Sequence, residues 1–335
     1  MESLLDSQDL SPIFIVGMPR SGTKLIREIL NRNENIFIPK SESIFIPYLI
    51  KKYGAIPDFT SVNNRKKIIN DLRKSTYCYN MSITKTQLYS KSFVEVLKSN
   101  CWAIIFRYIL NNLVNNNKNK VLFGDKTPSY INHLELLSKI YPNAKILHIT
   151  RDPRDQALSS RNIWKKNLYR NAQRWRDSIV KCRKSAKKYK INYLEIKYEH
   201  LINSPELIMQ KVCNYVGCTY TKSMLVFKGP IESFGDANEL YINKNNLNKF
   251  LIHLTDCQIK MIEELTLDVM SSLDYKTVHK NISIRRLNIL ENSIYKLLDI
   301  CNILRFQILQ KGIFRGLRYA YYLNKQNKSH SLLNG

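Results

Sequence analysis

The chain has 335 residues and a formal charge of +26, from 53 Lys and Arg against 27 Asp and Glu. That length suits one large α/β domain with an insertion, and that charge favours anionic partners. The N-terminus has no basic-then-apolar leader, no apolar run approaches a membrane span, and the seven cysteines show no C-x-x-C or zinc-ligand spacing. Reduced, mostly buried thiols in a cytoplasmic protein are therefore expected, with no metal site.

Ile13-Phe14-Ile15-Val16 is a β-prone run that stops at Gly17, and Leu25, Ile26, Ile29 and Leu30 then recur at helical spacing. Between them lies a polar loop, Met18-Pro19-Arg20-Ser21-Gly22-Thr23-Lys24. Strand, tight loop and helix in this order aim backbone N–H groups into one hollow at the positive end of the helix. Arg20 and Lys24 add cations, Ser21 and Thr23 add hydroxyls, and an anion of phosphate type fits such a loop. The glycine spacing matches the G-x-x-x-x-G-K-[ST] phosphate loop. Thr23 and Lys24 are reversed against that pattern, however, and Leu25 stands where a Mg²⁺-binding hydroxyl belongs.

Residues 36–47 form two apolar patches around a polar segment with one carboxylate, Glu42. It reads equally as a solvated loop acid or as a base beside the anion loop. Residues 48–118 read as a helical insertion or lid, with Trp102 to Leu110 a core run. A short strand, Val121 to Phe123, leads to Gly124-Asp125-Lys126-Thr127-Pro128, and a helix is predicted through Ile131, Leu134, Leu137 and Ile140. A second strand, Lys145 to Thr150, is followed by Arg151-Asp152-Pro153, where proline can open a helix. Arg151 and Ser159 could share an anion near the carboxyl edge of the sheet, where open α/β sheets bind ligands. His148, inside the strand, reads as a core residue.

One long basic helix is predicted from about Gln156 through Lys187, then a strand over 191–198 and a helix from Pro205 to Val216 closed by Gly217. Residues 227–249 read as an irregular flap. Strands alternating with helices imply an α/β, mainly parallel sheet flanked by helices. The tail, roughly 282–323, carries apolar residues at helical spacing with Arg and Lys on other faces. It reads as a helix packed on its own domain or on a partner, or as a basic membrane-surface helix.

Taken in order, these motifs resemble the PAPS-dependent sulfotransferases, most closely the tyrosylprotein sulfotransferase-like branch, over about residues 12–275. The resemblance rests on Pro19-Arg20-Ser21-Gly22-Thr23, Glu42 before Ile46-Pro47, Lys126-Thr127-Pro128, and Arg151-Asp152-Pro153-Arg154 with Ser159. Tyr198-Glu199 before Leu201, Pro205-Glu206 and Leu247-Asn248-Lys249-Phe250 continue it.

It implies a P-loop-like sulfotransferase domain over 10–280; the basic helical tail over 281–335, read from its own spacing, lies outside the resemblance. Arg20, Ser21, Gly22, Thr23, Lys24 and Leu25 would cradle the 5′-phosphosulfate of PAPS. Arg151 and Ser159 would hold the 3′-phosphate, and Tyr198 and Lys249 would complete the nucleotide pocket. Glu42 would act as the base on an acceptor hydroxyl of a peptide tyrosine, a glycan or a lipid-linked sugar, with Arg20 and Lys126 neutralising charge. That branch tends to carry Glu-Glu-Thr-Arg near the base, whereas this chain has Ser41-Glu42-Ser43-Ile44, which leaves acceptor recognition open. The alternatives are a P-loop kinase or NTPase, and a non-catalytic basic nucleic-acid or membrane-surface binder. No nucleic-acid motif favours the latter, whereas peripheral membrane or homo-oligomer contact through 282–323 remains an option.

Overall fold

The computed structural model describes residues 11–113, 121–227 and 246–328. Its first elements are β1 (Ile13–Gly17), α1 (Thr23–Leu30), β2 (Ile36–Phe37), α2 (Phe45–Tyr53), α3 (Val62–Arg73) and α4 (Thr76–Asn80). Next come α5 (Lys85–Leu88), α6 (Lys91–Lys98), α7 (Trp102–Arg107), β3 (Leu122–Lys126), α8 (Leu134–Ile140), β4 (Lys145–Thr150) and α9 (Pro153–Trp164). The chain continues through α10 (Leu168–Lys188), β5 (Asn192–Lys197), α11 (Tyr198–Asn203), α12 (Pro205–Val216), α13 (Phe250–His253), α14 (Asp256–Ser272), α15 (Ile289–Lys311) and α16 (Ile313–Lys328).

The five strands form one sheet in the order β2-β3-β1-β4-β5, every pair parallel. The central strand β1 is wholly buried, as a parallel strand covered on both faces must be, which is why its sequence is continuously apolar. Alternate residues feed opposite layers. Phe14 and Val16 join the core built with α2–α8 and α10, and Ile13 and Ile15 join the core built with α1, α11 and α12. The predicted helical insertion is therefore part of the main core on one face. Trp102 stacks on Phe106 at 4.9 Å, and its indole N–H donates to the Gly54 carbonyl at 2.9 Å.

Three expectations change in detail. The single long helix predicted from Gln156 is two helices. Lys165 turns left-handed (φ 54°), and Asn167 then caps α10 by accepting from the Arg170 N–H at 2.9 Å. The helix predicted from Ile131 begins as a 3-10 turn over Pro128–Asn132 and becomes α8 only after His133. Of the seven cysteines, Cys78, Cys182 and Cys213 are buried, and Cys257 and Cys301 are exposed. His148 is buried in the core, its Nδ1 beside Glu195 at 3.0 Å.

Residues 114–120 of the insertion and 228–245 of the expected flap lie outside the described residues. Among those described, no helix is long and apolar enough to cross a membrane. The tail folds as a hairpin of α15 and α16 that breaks at Gly312 (φ 78°) and packs against α2, α4, α9 and α10.

Candidate active site

The loops after the strands meet at the carboxyl edge of the sheet. After β1, the Ser21 N–H donates to the Met18 carbonyl at 3.1 Å, closing a tight turn. Arg20 takes a left-handed conformation (φ 75°), and so does Gly22 (φ 95°). A side chain at Gly22 would meet a second obstacle, because its Cβ would lie 2.4 Å from Cδ2 of Tyr198. The Tyr198 ring, at the start of α11, thus lies directly on the loop. No side chain caps α1, the arrangement in which first-turn N–H groups serve an anion. The Ser21 hydroxyl is buried with no hydrogen-bond partner among the described residues, a donor that an anion in the hollow would satisfy.

A second cationic group abuts this loop from β4. Arg151 is 5% exposed and donates to the Arg20 carbonyl at 3.2 Å and to the Asn246 carbonyl at 2.8 Å. Its guanidinium sits over the Tyr198 ring, 4.7 Å from the centroid, and the Asn246 amide donates to the Tyr198 hydroxyl at 3.0 Å. The Arg151 Nε has no partner among the described residues. The indole of Trp175 donates to the Arg151 carbonyl at 2.9 Å. Ser159 meets Arg20 rather than Arg151, accepting from its Nε at 3.1 Å. Lys249 precedes α13, and the flanking Asn248 and Phe250 N–H groups donate to Asp155 at 2.8 and 2.9 Å. That carboxylate ties the Lys249 segment to the first turn of α9, the helix that follows Arg151.

The third part of the site is Glu42 with Lys126. Lys126 ends β3, which pairs Ile15 of β1 with Lys126, and its Nζ donates to Glu42 Oε1 at 2.6 Å. The ammonium is buried, whereas the Glu42 side chain is 44% exposed and faces the open side. Ser43 fixes the loop from behind: its N–H donates to Thr127 Oγ1 at 2.8 Å, and its hydroxyl lies 3.0 Å from the Tyr130 hydroxyl. On the other flank the Asn80 amide is 3.3 Å from Ser41 Oγ and 3.4 Å from the Tyr319 hydroxyl. Tyr319 belongs to α16, so the C-terminal hairpin reaches the neighbourhood of Glu42. The serines flanking Glu42 are thus used to anchor its loop.

The sequence-predicted residues therefore fall into three linked groups: the loop Arg20–Leu25 with Ser159, Arg151 with Tyr198, and Glu42 with Lys126. Asn246, Asp155, Asn80 and Tyr319 were not singled out. Asp155 had a signal, a second acid in an Arg-Asp-Pro-Arg-Asp run at a helix start, but Asn246 and Tyr319 join the site only through tertiary contact. Among the described residues, no group of three or more His, Cys, Asp or Glu is placed to hold a metal ion.

Residues 12–222 match the family model described as the Sulfotransferase family. Protein-tyrosine sulfotransferase 1 of Danio rerio is 26% identical over 230 residues, covering 65% of this chain and 56% of the relative. Nodulation protein NoeE of Sinorhizobium fredii is 26% identical over 162 residues, covering 47% and 34%. An uncharacterized protein of Aquifex aeolicus is 27% identical over 150 residues, covering 44% and 16%, so the chain spans at most 56% of the length of these curated relatives. In fold, the chain is similar to the sulfotransferase domain of the Synechococcus PCC 7002 olefin synthase, with TM-score 0.54 and 18% identity, covering 79% of this chain and 95% of that one. The sulfotransferase domain from the curacin biosynthetic pathway gives TM-score 0.52 and 17% identity, covering 79% and 98%.

Proposed function

The chain belongs to the sulfotransferase family, and from that premise we propose that it transfers a sulfuryl group from 3′-phosphoadenosine 5′-phosphosulfate (PAPS) to an acceptor hydroxyl. Adenosine 3′,5′-bisphosphate (PAP) is the other product. One observation carries the reading. Arg151 donates to the Arg20 carbonyl at 3.2 Å, so a buried guanidinium after one strand and the anion loop after another abut at one sheet edge. Such a pair suits a nucleotide with anions at both ends of its ribose. The unpartnered Ser21 hydroxyl and Arg151 Nε fit the same donor.

Arg20, Ser21, Gly22, Thr23, Lys24 and Leu25 would hold the 5′-phosphosulfate. Arg151, Ser159, Tyr198 and Lys249 would hold the 3′-phosphate end. Bound there, PAPS supplies a sulfuryl group already attached to a phosphate leaving group. Glu42 takes the proton of the acceptor hydroxyl as its oxygen bonds to sulfur and the bond from sulfur to the phosphate oxygen breaks. Lys126 and Arg20 neutralise the charge that develops on the departing oxygen. As in phosphoryl transfer, in-line positioning and charge stabilisation do the work, and no protein nucleophile is needed. Among acceptors, a peptide tyrosine is favoured over a glycan or a lipid-linked sugar, on the likeness to the Danio rerio tyrosine sulfotransferase.

Calorimetric titration with PAP, against ATP–Mg²⁺ as control, tests the donor. Tight PAP binding without metal is expected. Binding of ATP–Mg²⁺ with none of PAP would overturn the reading in favour of a phosphate-loop kinase.

A further inference from the structure

The C-terminal hairpin lies beyond the matched segment 12–222, and many large apolar side chains are exposed on it. On α15, Ile294 follows Leu290 by four residues, and Leu297 and Leu298 follow Ile294 by three and four; all four are 49 to 69% exposed. Leu309 continues that stripe at 72%. On α16, Phe314 (88%), Leu317 (44%) and Tyr321 (62%) form a second stripe. Contiguous exposed apolar side chains of this kind mark an interaction surface rather than an ordinary solvated helix.

The charges beside these stripes identify the partner. Lys296, Arg305, Arg315 and Arg318 are all exposed on the same two helices. The two carboxylates of residues 289–323 are both occupied elsewhere. Asp299 is buried against Arg170 at 2.6 Å, and Glu291 accepts from Arg285 at 2.9 Å. The hairpin therefore combines exposed bulky apolar side chains with exposed cations that no carboxylate among the described residues pairs. That pairing is complementary to an anionic lipid surface, where apolar groups enter the headgroup boundary and Lys and Arg meet the phosphates.

The hairpin is also held as one unit. A Cβ on the buried Gly316 would lie 2.7 Å from the Gln307 carbonyl oxygen and from Ile308 Cα, so α16 crosses α15 at backbone contact. Both stripes thus move together.

We propose that the outer face of the α15–α16 hairpin docks on an anionic phospholipid surface, with Leu297, Leu298, Phe314 and Leu317 inserted and Arg305, Arg315 and Arg318 at the phosphates. The proposal does not rest on the transferase reading.

The test is flotation of the full chain with vesicles of phosphatidylcholine containing roughly one-third phosphatidylglycerol, against pure phosphatidylcholine vesicles. Binding on the order of tenfold stronger on the anionic vesicles is expected, weakening with salt. The exposed pair Leu298→Glu with Phe314→Glu should abolish flotation, and Arg315→Glu with Arg318→Glu should remove the preference for anionic lipid. Unchanged circular dichroism and thermal melting would show that these variants fold. Absence of wild-type flotation on anionic vesicles overturns the proposal, as does flotation that survives both double substitutions. A stable dimer that does not float and that Leu298→Glu with Phe314→Glu splits into monomers would assign the face to a second copy of this chain instead.

Discussion

Lys126 Nζ lies 2.6 Å from Glu42 Oε1, joining the end of a central strand to the loop that precedes α2. The ammonium is buried and the carboxylate reaches the open side, as the proposed role of Glu42 as base requires. Glu42→Gln keeps the shape of the side chain and removes its basicity. Turnover should fall roughly 100- to 10,000-fold, with PAP affinity retained. Single-turnover kinetics beside calorimetry would check this, and unimpaired turnover would remove Glu42 from the mechanism.

Arg151 offers charge-assisted hydrogen bonds worth about 1.5–3 kcal/mol to an anion. Arg151→Ala should therefore weaken PAP roughly 10- to 150-fold. Adenosine 5′-phosphosulfate, which lacks the 3′-phosphate, should lose much less. Equal losses for the two ligands would contradict the placement of the 3′-phosphate at Arg151.

Gly22 combines a left-handed backbone with a Tyr198 ring against its Cα. Gly22→Ala should reduce PAP binding and lower the melting temperature. Adding Tyr198→Ala relieves the contact but not the backbone strain, so thermal stability should recover only in part. Full tolerance of Gly22→Ala in a melting experiment would show that the loop adopts another conformation in solution.

Asp125 is fully buried behind the Lys126–Glu42 pair. Burial pushes its carboxyl up to about 6, against the opposing influence of the Thr127 and Ser43 hydroxyls and of Lys126. The folded value lies above the ordinary 3.8, so the protonated acid is the form that folding favours. This group's contribution is complete below the unfolded value and is lost as pH rises through about 6, a change of roughly 3 kcal/mol. Asp125→Asn should flatten that part of the stability profile and gain on wild type above the window. Urea denaturation on both sides of the window would decide it, and an equal effect at both pH values would exclude Asp125 as the source.

Much of the strand–loop–helix unit around Arg20–Leu25 was legible because local pattern carries it. The run Ile13–Val16, the glycines and the helical spacing after Lys24 produce strand, loop and helix wherever the sheet lies. Glu42 was visible only as a lone acid, since its partner is 84 positions away and the pairing depends on strand order. Two residues are too few to show a period of two, so β2 was indistinct. The break at Lys165 was hidden because α9 and α10 share one basic, periodic composition, and only the Asn167 cap separates them. The contact of Ser159 with Arg20 was not legible, because the first turns of α9 run back beside the loop after β1. Tyr319 had no local signal at all.

The bond between Asn80 and Tyr319 spans 239 positions of chain. During synthesis at about 5–20 residues per second, Asn80 waits roughly 10–50 s for Tyr319 to be made. The last strand of the sheet ends at Lys197, and the chain contributing Asn246 follows within the next 49 residues, so the parts of the donor side are all synthesised well before α16. The nascent chain thus acquires the Arg20–Arg151 edge first and the flank of Glu42 last. A message truncated between residues 280 and 319 would yield a chain that carries every donor-side residue while the Asn80–Ser41 edge lacks its C-terminal neighbour.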